Sequence, residues 1–171
     1  MPALIIDPIA HKATAIATVV TVLKFYLTVF KQGGARFKAG SRPPEDAKLS
    51  LAKTLGASKV QQTFGITAAT NDDGKLDKAK LIDIRWQRMV LNDLENIPLG
   101  LIVAWASLLS PYSPKLHAIF VSLFAAFRIV HTVSYANELQ PHRAIGWGGA
   151  LLCILGMATN GVLGVFTASS D

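Results

Sequence analysis

Five side chains able to bind charge recur at helical spacing near the middle of this chain: Arg85, Arg88, Asn92, Glu95 and Asn96. At about 100° per residue they fall within roughly one third of a helix circumference. The apolar run Leu99–Leu109 follows directly, so a stripe of both charge signs enters a membrane-spanning helix. There it is costly unless it faces a partner helix, a water-filled cavity or a polar ligand. Further on, Arg128, Thr132 and Tyr135 share a face with His131 beside them, and Arg143 follows. Several guanidiniums and one carboxylate suit a small ligand carrying more than one carboxylate and an ammonium, because the arginine fork grips carboxylates bidentately. Taken singly, Arg85 and Arg88 also read as interfacial anchors, Tyr135 as an aromatic-belt residue and His131 as a packed polar group. Asn92 and Glu95, deeper in the same helix, resist that explanation.

The elements that must position these residues are membrane helices. At 171 residues, 51% hydrophobic and mean hydropathy +0.38, the chain is too apolar for an ordinary soluble domain. It is long enough for about four spans in one all-α integral membrane domain, residues 1–171. Twelve of its seventeen Lys and Arg lie between Lys31 and Arg88, the positive-inside pattern of a loop on the cytoplasmic side. Such a loop favours anionic lipid surfaces and anionic ligands. Aromatic residues do not interleave with the basic ones, which argues against nucleic acid. Cys153 is the sole cysteine, and His11, His117, His131 and His142 are scattered, so neither an internal disulfide nor a metal site is expected. The first eight residues lack a basic region and a cleavage site, and no cleaved signal peptide is expected.

The spans fall at about 9–30, 94–110, 115–136 and 144–168, with a long cytoplasmic loop at 31–81. Lys24, about two turns from the basic end of the first span, is expected to snorkel rather than to pair. In the loop, Pro43-Pro44 followed by Glu45 and Asp46 suits the first turn of a short helix through Ala47–Leu55. Asn71-Asp-Asp-Gly74 reads as a turn. Registered as a calcium loop, it would carry Ala69 and Lys80 at the two ligand positions that need carboxylates. The second helix runs from near Leu76 to Leu109 and bends at Pro98. Ser110–Pro114 is a tight turn on the far side. The third helix covers Pro114–Asn137, and the fourth is uncharged with glycines suited to close packing. Both termini then lie on the far side, and the polar ends of the second, third and fourth helices meet at one depth.

Leu91-Asn-Asp-Leu-Glu-Asn-Ile97 after Arg88, Arg128-Ile-Val-His131-Thr-Val-Ser-Tyr135 and Pro141-His-Arg143-Ala144 together resemble the MAPEG family, membrane-associated proteins in eicosanoid and glutathione metabolism. Leu23-Lys24 and Pro44-Glu-Asp-Ala47 also match, and the stretch around Ala57–Lys80 looks longer than usual. The resemblance implies a four-helix subunit of a homotrimer, with glutathione bound between neighbouring subunits near the cytoplasmic face. It gives Arg88, Asn92 and Glu95 a part in holding glutathione from the second helix, and Arg128, His131 and Tyr135 from the third; Arg85 joins the candidate binding set by its place on the same stripe. Arg143 matches the arginine that stabilises the glutathione thiolate, and Asp46 an aspartate proposed to assist in the prostaglandin E synthase branch. Ala144 stands where that branch has serine, so the chain is more similar to the microsomal glutathione transferases.

The expected activity is glutathione transfer to lipophilic electrophiles, with reduction of lipid hydroperoxides as a related one. The alternative is a non-catalytic subunit or scaffold that docks a partner through loop 31–81. It is motivated by Val90, where relatives carry histidine, and by a connection from Tyr135 to Arg143 about one residue short. The expected location is the endoplasmic reticulum, with a mitochondrial membrane as the second choice.

Overall fold

The computed structural model describes residues 6–55, 60–66 and 77–168, and these are helical with short connections. Four helices are long: α1 (Pro8–Lys38), α3 (Lys78–Ser107), α4 (Pro114–Ala136) and α5 (Gln140–Ala168). A 3-10 turn, Pro44–Lys48, and the short α2, Ser50–Thr54, lie between α1 and α3. Among the described residues, three helices are long and apolar enough to cross a membrane: α1, α4 and α5 as far as Thr167. The expected second span lies in α3, whose charges continue to Glu95. The Asn71–Gly74 turn and the expected helix start at Leu76 lie outside the described residues.

The chain divides into two compact units, residues 1–25 with 92–171, and residues 26–91. In the first unit, small residues let helices approach closely around Val121, Phe124, Ile154 and Met157, with Ala17, Ala104, Ala150 and Cys153 between them. Ile16, Ile102, Leu152 and Phe166 are among the large apolar side chains left outside, each more than 60% exposed. An apolar outside around a core holding polar groups is what a lipid environment permits, since lipid tails supply no hydrophobic drive between helices.

Two polar ties cross that core. His117 is fully buried, with its Nε2 2.9 Å from Thr14 Oγ1 and its Nδ1 3.2 Å from Ser107 Oγ, linking α1, α3 and α4. The side chain of Asn160 on α5 accepts from Ser113 N at 3.0 Å and donates to Ser113 O at 3.2 Å, while its own carbonyl accepts from Tyr112 N. Asn160 thereby holds the turn between α3 and α4. Gly164 permits this, since a Cβ there would collide with the backbone of Ser110 and Tyr112.

In the second unit, α1 runs eight residues past Phe30 and through Gly33-Gly34, where the long loop was expected to begin. The stop is Gly40. With φ +68 it places Ser41 N 2.9 Å from Arg36 O and Gly40 N 3.4 Å from Phe37 O, a Schellman ending. A small core of Phe37, Ala52 and Leu55 forms beneath. The expected short helix is split, because the carbonyl of Asp46 accepts from Leu49 N and closes the 3-10 turn before α2 starts.

Candidate functional site

Within the first unit, α3 turns Asp93, Ile97, Gly100, Ala104 and Ser107 inward, a buried ridge at alternating steps of four and three residues. Asp93 carries the one charge on it and is wholly buried. Lys24 Nζ from α1 lies 2.5 Å from both carboxylate oxygens, and Arg128 Nη2 from α4 donates to Oδ1. Lys24 therefore does not snorkel to the basic end. A buried carboxylate on the facing helix outweighs the water beyond the span, because an unpaired Asp93 in this interior would be far more costly than an ordered lysine.

The cluster holds two cations and one anion, a net positive charge out of water. Arg128 is 0% exposed, and its Nη2 also donates to Asn92 Oδ1 at 3.0 Å. Its Nε and Nη1, buried as well, find no hydrogen-bond partner among the described residues, and neither does Nδ1 of buried His131. Unsatisfied guanidinium donors beside a positive excess suit a carboxylate or another small anion.

The next turn of α4 carries this set toward α5. The rings of His131 and Tyr135 meet edge to face, centroids 5.7 Å apart. Arg143 Cζ lies 4.6 Å from the centre of the Tyr135 ring, a cation–π contact. Arg143 sits in the first turn of α5, where the helix dipole disfavours a cation. The stacked ring offsets that and fixes the guanidinium. Gly146, one turn on, lets α5 close against α4, since a Cβ there would come 2.7 Å from His131 N.

Of the residues expected to form the site, the structure thus links Asn92, Arg128, His131, Tyr135 and Arg143. Glu95 is exposed on the outer side of α3. Arg85, half-buried, and Arg88, exposed, belong to the second unit, as does Asp46. Asp46 Oδ2 is 3.0 Å from Arg42 Nε, whose guanidinium also lies over the Phe37 ring. Asp93 was missed by sequence reasoning, although it is a charge on an otherwise uncharged ridge with Lys24 and Arg128 available to balance it. An apolar groove of about 290 Å³ between α3 and α5, lined in part by Val103, Ala106, Ala158 and Val162, begins fifteen residues along α5 from Arg143. At 1.5 Å per residue that is ~22 Å, too far for a molecule there to react beside Arg143.

No curated protein sequence matches this chain closely enough to lend it a specific activity. Residues 14–163 match the model of the MAPEG family, and with three helices able to span a bilayer the chain is a membrane protein that belongs to that family.

Proposed function

We propose that this protein binds glutathione beside Arg128 and Arg143 and conjugates it, through its thiolate sulfur, to lipophilic electrophiles. The observation that carries the proposal is the buried Arg128 guanidinium, tied on one side to Asp93 and Asn92 with two nitrogens left over. Those nitrogens suit a glutathione carboxylate, and the Arg143 guanidinium, steadied by Tyr135, suits the sulfur. A thiol of pKa near ~8.5 is mostly protonated at neutral pH, whereas the thiolate is the nucleophile. A guanidinium about 4 Å away at an effective dielectric near 20 contributes on the order of 4 kcal/mol to the charged form. That is roughly three pKa units before desolvation subtracts from it. The thiolate sulfur forms the new bond to the electrophilic carbon, and the leaving group departs with its electron pair. The electrophile arrives from the bilayer.

The same reading makes α3 a fourth span and the assembly a homotrimer, as in the family it resembles. Glu95 supports it: on a span at 94–110, as expected from the sequence, this exposed carboxylate would be costly against lipid and would call for polar company from a second copy or a ligand. An endoplasmic reticulum location follows from the same resemblance.

Titration of glutathione into the purified protein, followed by calorimetry and by the ultraviolet absorption of thiolate, tests the proposal. The wild type should bind and show the band, and turn over a small aryl halide. Arg143→Ala should still bind but lose the band. An undiminished band in that variant removes Arg143 from the mechanism, and a wild type that neither binds nor turns over removes the reading.

A scaffold without chemistry is the second reading. The Arg42 contact of Asp46 favours it, since a residue proposed to assist catalysis is engaged locally, as does Val90, buried where relatives carry histidine.

A further inference from the structure

A guanidinium carries N–H donors on all three of its nitrogens, one on Nε and two on each Nη. In Arg128 both hydrogens of Nη2 have acceptors, Asn92 Oδ1 at 3.0 Å and Asp93 Oδ1. The donors on Nε and Nη1 are the ones without a partner among the described residues. A carboxylate beside an arginine frequently takes two parallel N–H bonds, one on each oxygen. Asp93 has Nε and Nη1 on either side of the nitrogen it already holds, yet it takes neither. Its oxygens are matched from α1 instead: Lys24 Nζ lies 2.5 Å from Oδ1 and 2.5 Å from Oδ2, on a side chain only 10% exposed. A compact ammonium with several donors on a flexible stem can straddle a carboxylate in this way.

We infer that Lys24 is a positioning residue for the glutathione carboxylate: by occupying both oxygens of Asp93 it keeps Asp93 from gripping Arg128 bidentately, and so holds Nε and Nη1 open for the ligand. The charge of Lys24 acts in the same direction. With it the buried cluster carries one net positive charge. Without it Asp93 and Arg128 cancel, and no excess is left to attract an anion. Neither effect requires Lys24 to touch glutathione. The inference rests on the glutathione reading of the site and extends that site to a residue on α1.

Asparagine at position 93 separates the two roles of the carboxylate. Its amide offers Arg128 one acceptor oxygen, while the amide nitrogen cannot accept a second bond. In Lys24→Met/Asp93→Asn the bidentate grip is therefore impossible and the cluster again carries one net positive charge, as in the wild type.

The test is calorimetric titration of glutathione into the purified full chain as wild type, Lys24→Met and Lys24→Met/Asp93→Asn. Lys24→Met should bind about tenfold to a hundredfold more weakly, the loss of one charge-assisted hydrogen bond. The double variant should recover most of that loss. A merely structural role for Lys24 would not be rescued by removing a second charge. With a small aryl halide as co-substrate, Lys24→Met should raise the KM for glutathione and leave kcat at saturation unchanged, because Arg143 beside the sulfur is untouched. Should Lys24→Met not fold, Lys24→Gln, which keeps a donor for one oxygen but no charge, makes the same comparison. Wild-type affinity in the single variant, or a double variant as weak as the single one, overturns the inference and leaves the glutathione reading standing. A wild type that does not bind glutathione overturns both.

Discussion

The carboxylate of Asp93 and the ammonium of Lys24, sixty-nine residues apart in the chain, meet at 2.5 Å with the carboxylate wholly buried. Arg128 approaches the same carboxylate from α4, so the two cations depend on Asp93 more than Asp93 depends on either. Asp93→Ala leaves two like charges in an apolar interior and should be the most damaging single change, about 3–5 kcal/mol. Lys24→Met leaves a neutral Asp93–Arg128 pair and should cost much less. Thermal unfolding in one detergent, followed by circular dichroism, gives the order. Equal losses would mean that the cluster does not act as a charge-balanced unit.

His117 tests a neutral tie by the same logic. Thr14→Val keeps the shape but removes the hydroxyl facing Nε2, leaving a buried ring nitrogen without that partner. The expected loss is about 1–3 kcal/mol, read from the melting transition. A loss close to zero would show that water or a shifted ring replaces the threonine.

Backbone conformation supplies a gain. Glu138 stands at φ 65 where α4 ends, with Leu139 N bonded to Ser134 O at 2.9 Å. A non-glycine residue in this conformation costs about 1–2 kcal/mol, and glycine is the usual occupant. Glu138→Gly should raise the melting temperature. A lower one would mean that the contacts of the Glu138 side chain outweigh the strain.

Glycines along α5 separate sharply. Gly164→Ala places a methyl against the backbone of the Ser110–Tyr112 turn and should destabilise the protein, whereas a Cβ at Gly148 meets nothing within 4 Å. Gly148→Ala should gain up to about 1 kcal/mol of helix propensity. Melting temperatures of the two variants should move in opposite directions.

If the proposed glutathione site is right, the stacked pair Arg143–Tyr135 predicts a graded series for the thiolate signal. Tyr135→Phe keeps the ring and should preserve the signal. Tyr135→Leu loses the stacking and should weaken it, and Arg143→Lys should retain part, because it keeps the charge but not the planar contact. A signal equal in Tyr135→Leu and wild type would deny Tyr135 a positioning role.

The third helix was legible almost to the residue: Pro114–Asn137 was expected and Pro114–Ala136 is found. Pro114 marks the first turn, Ser113 caps it, and no further Gly or Pro interrupts the helix. The end of α1 was not, because Gly33-Gly34 reads as a break while the chain stops at Gly40. That ending is the Schellman turn at Gly40, a glycine signal that the earlier Gly33-Gly34 pair masked. Reading the α3 motif as one polar stripe drew attention to Asn92 and Glu95. It hid Asp93, whose meaning lies in Lys24 and Arg128 on other helices. Asn160 was hidden in the same way, since an asparagine within a long apolar run shows its role only when the α3–α4 turn arrives beside it.

The buried Lys24–Asp93–Arg128 cluster also bears on how the chain is made. As α1 leaves the ribosome it brings a lysine into the bilayer with no counter-ion, and its neutralising carboxylate is synthesised sixty-nine residues later. Arg128 then arrives after both. Insertion of the early helices therefore stays provisional until α3 docks, and a nascent chain cut before Asp93 carries the kind of exposed intramembrane charge by which quality control in a membrane recognises an orphan.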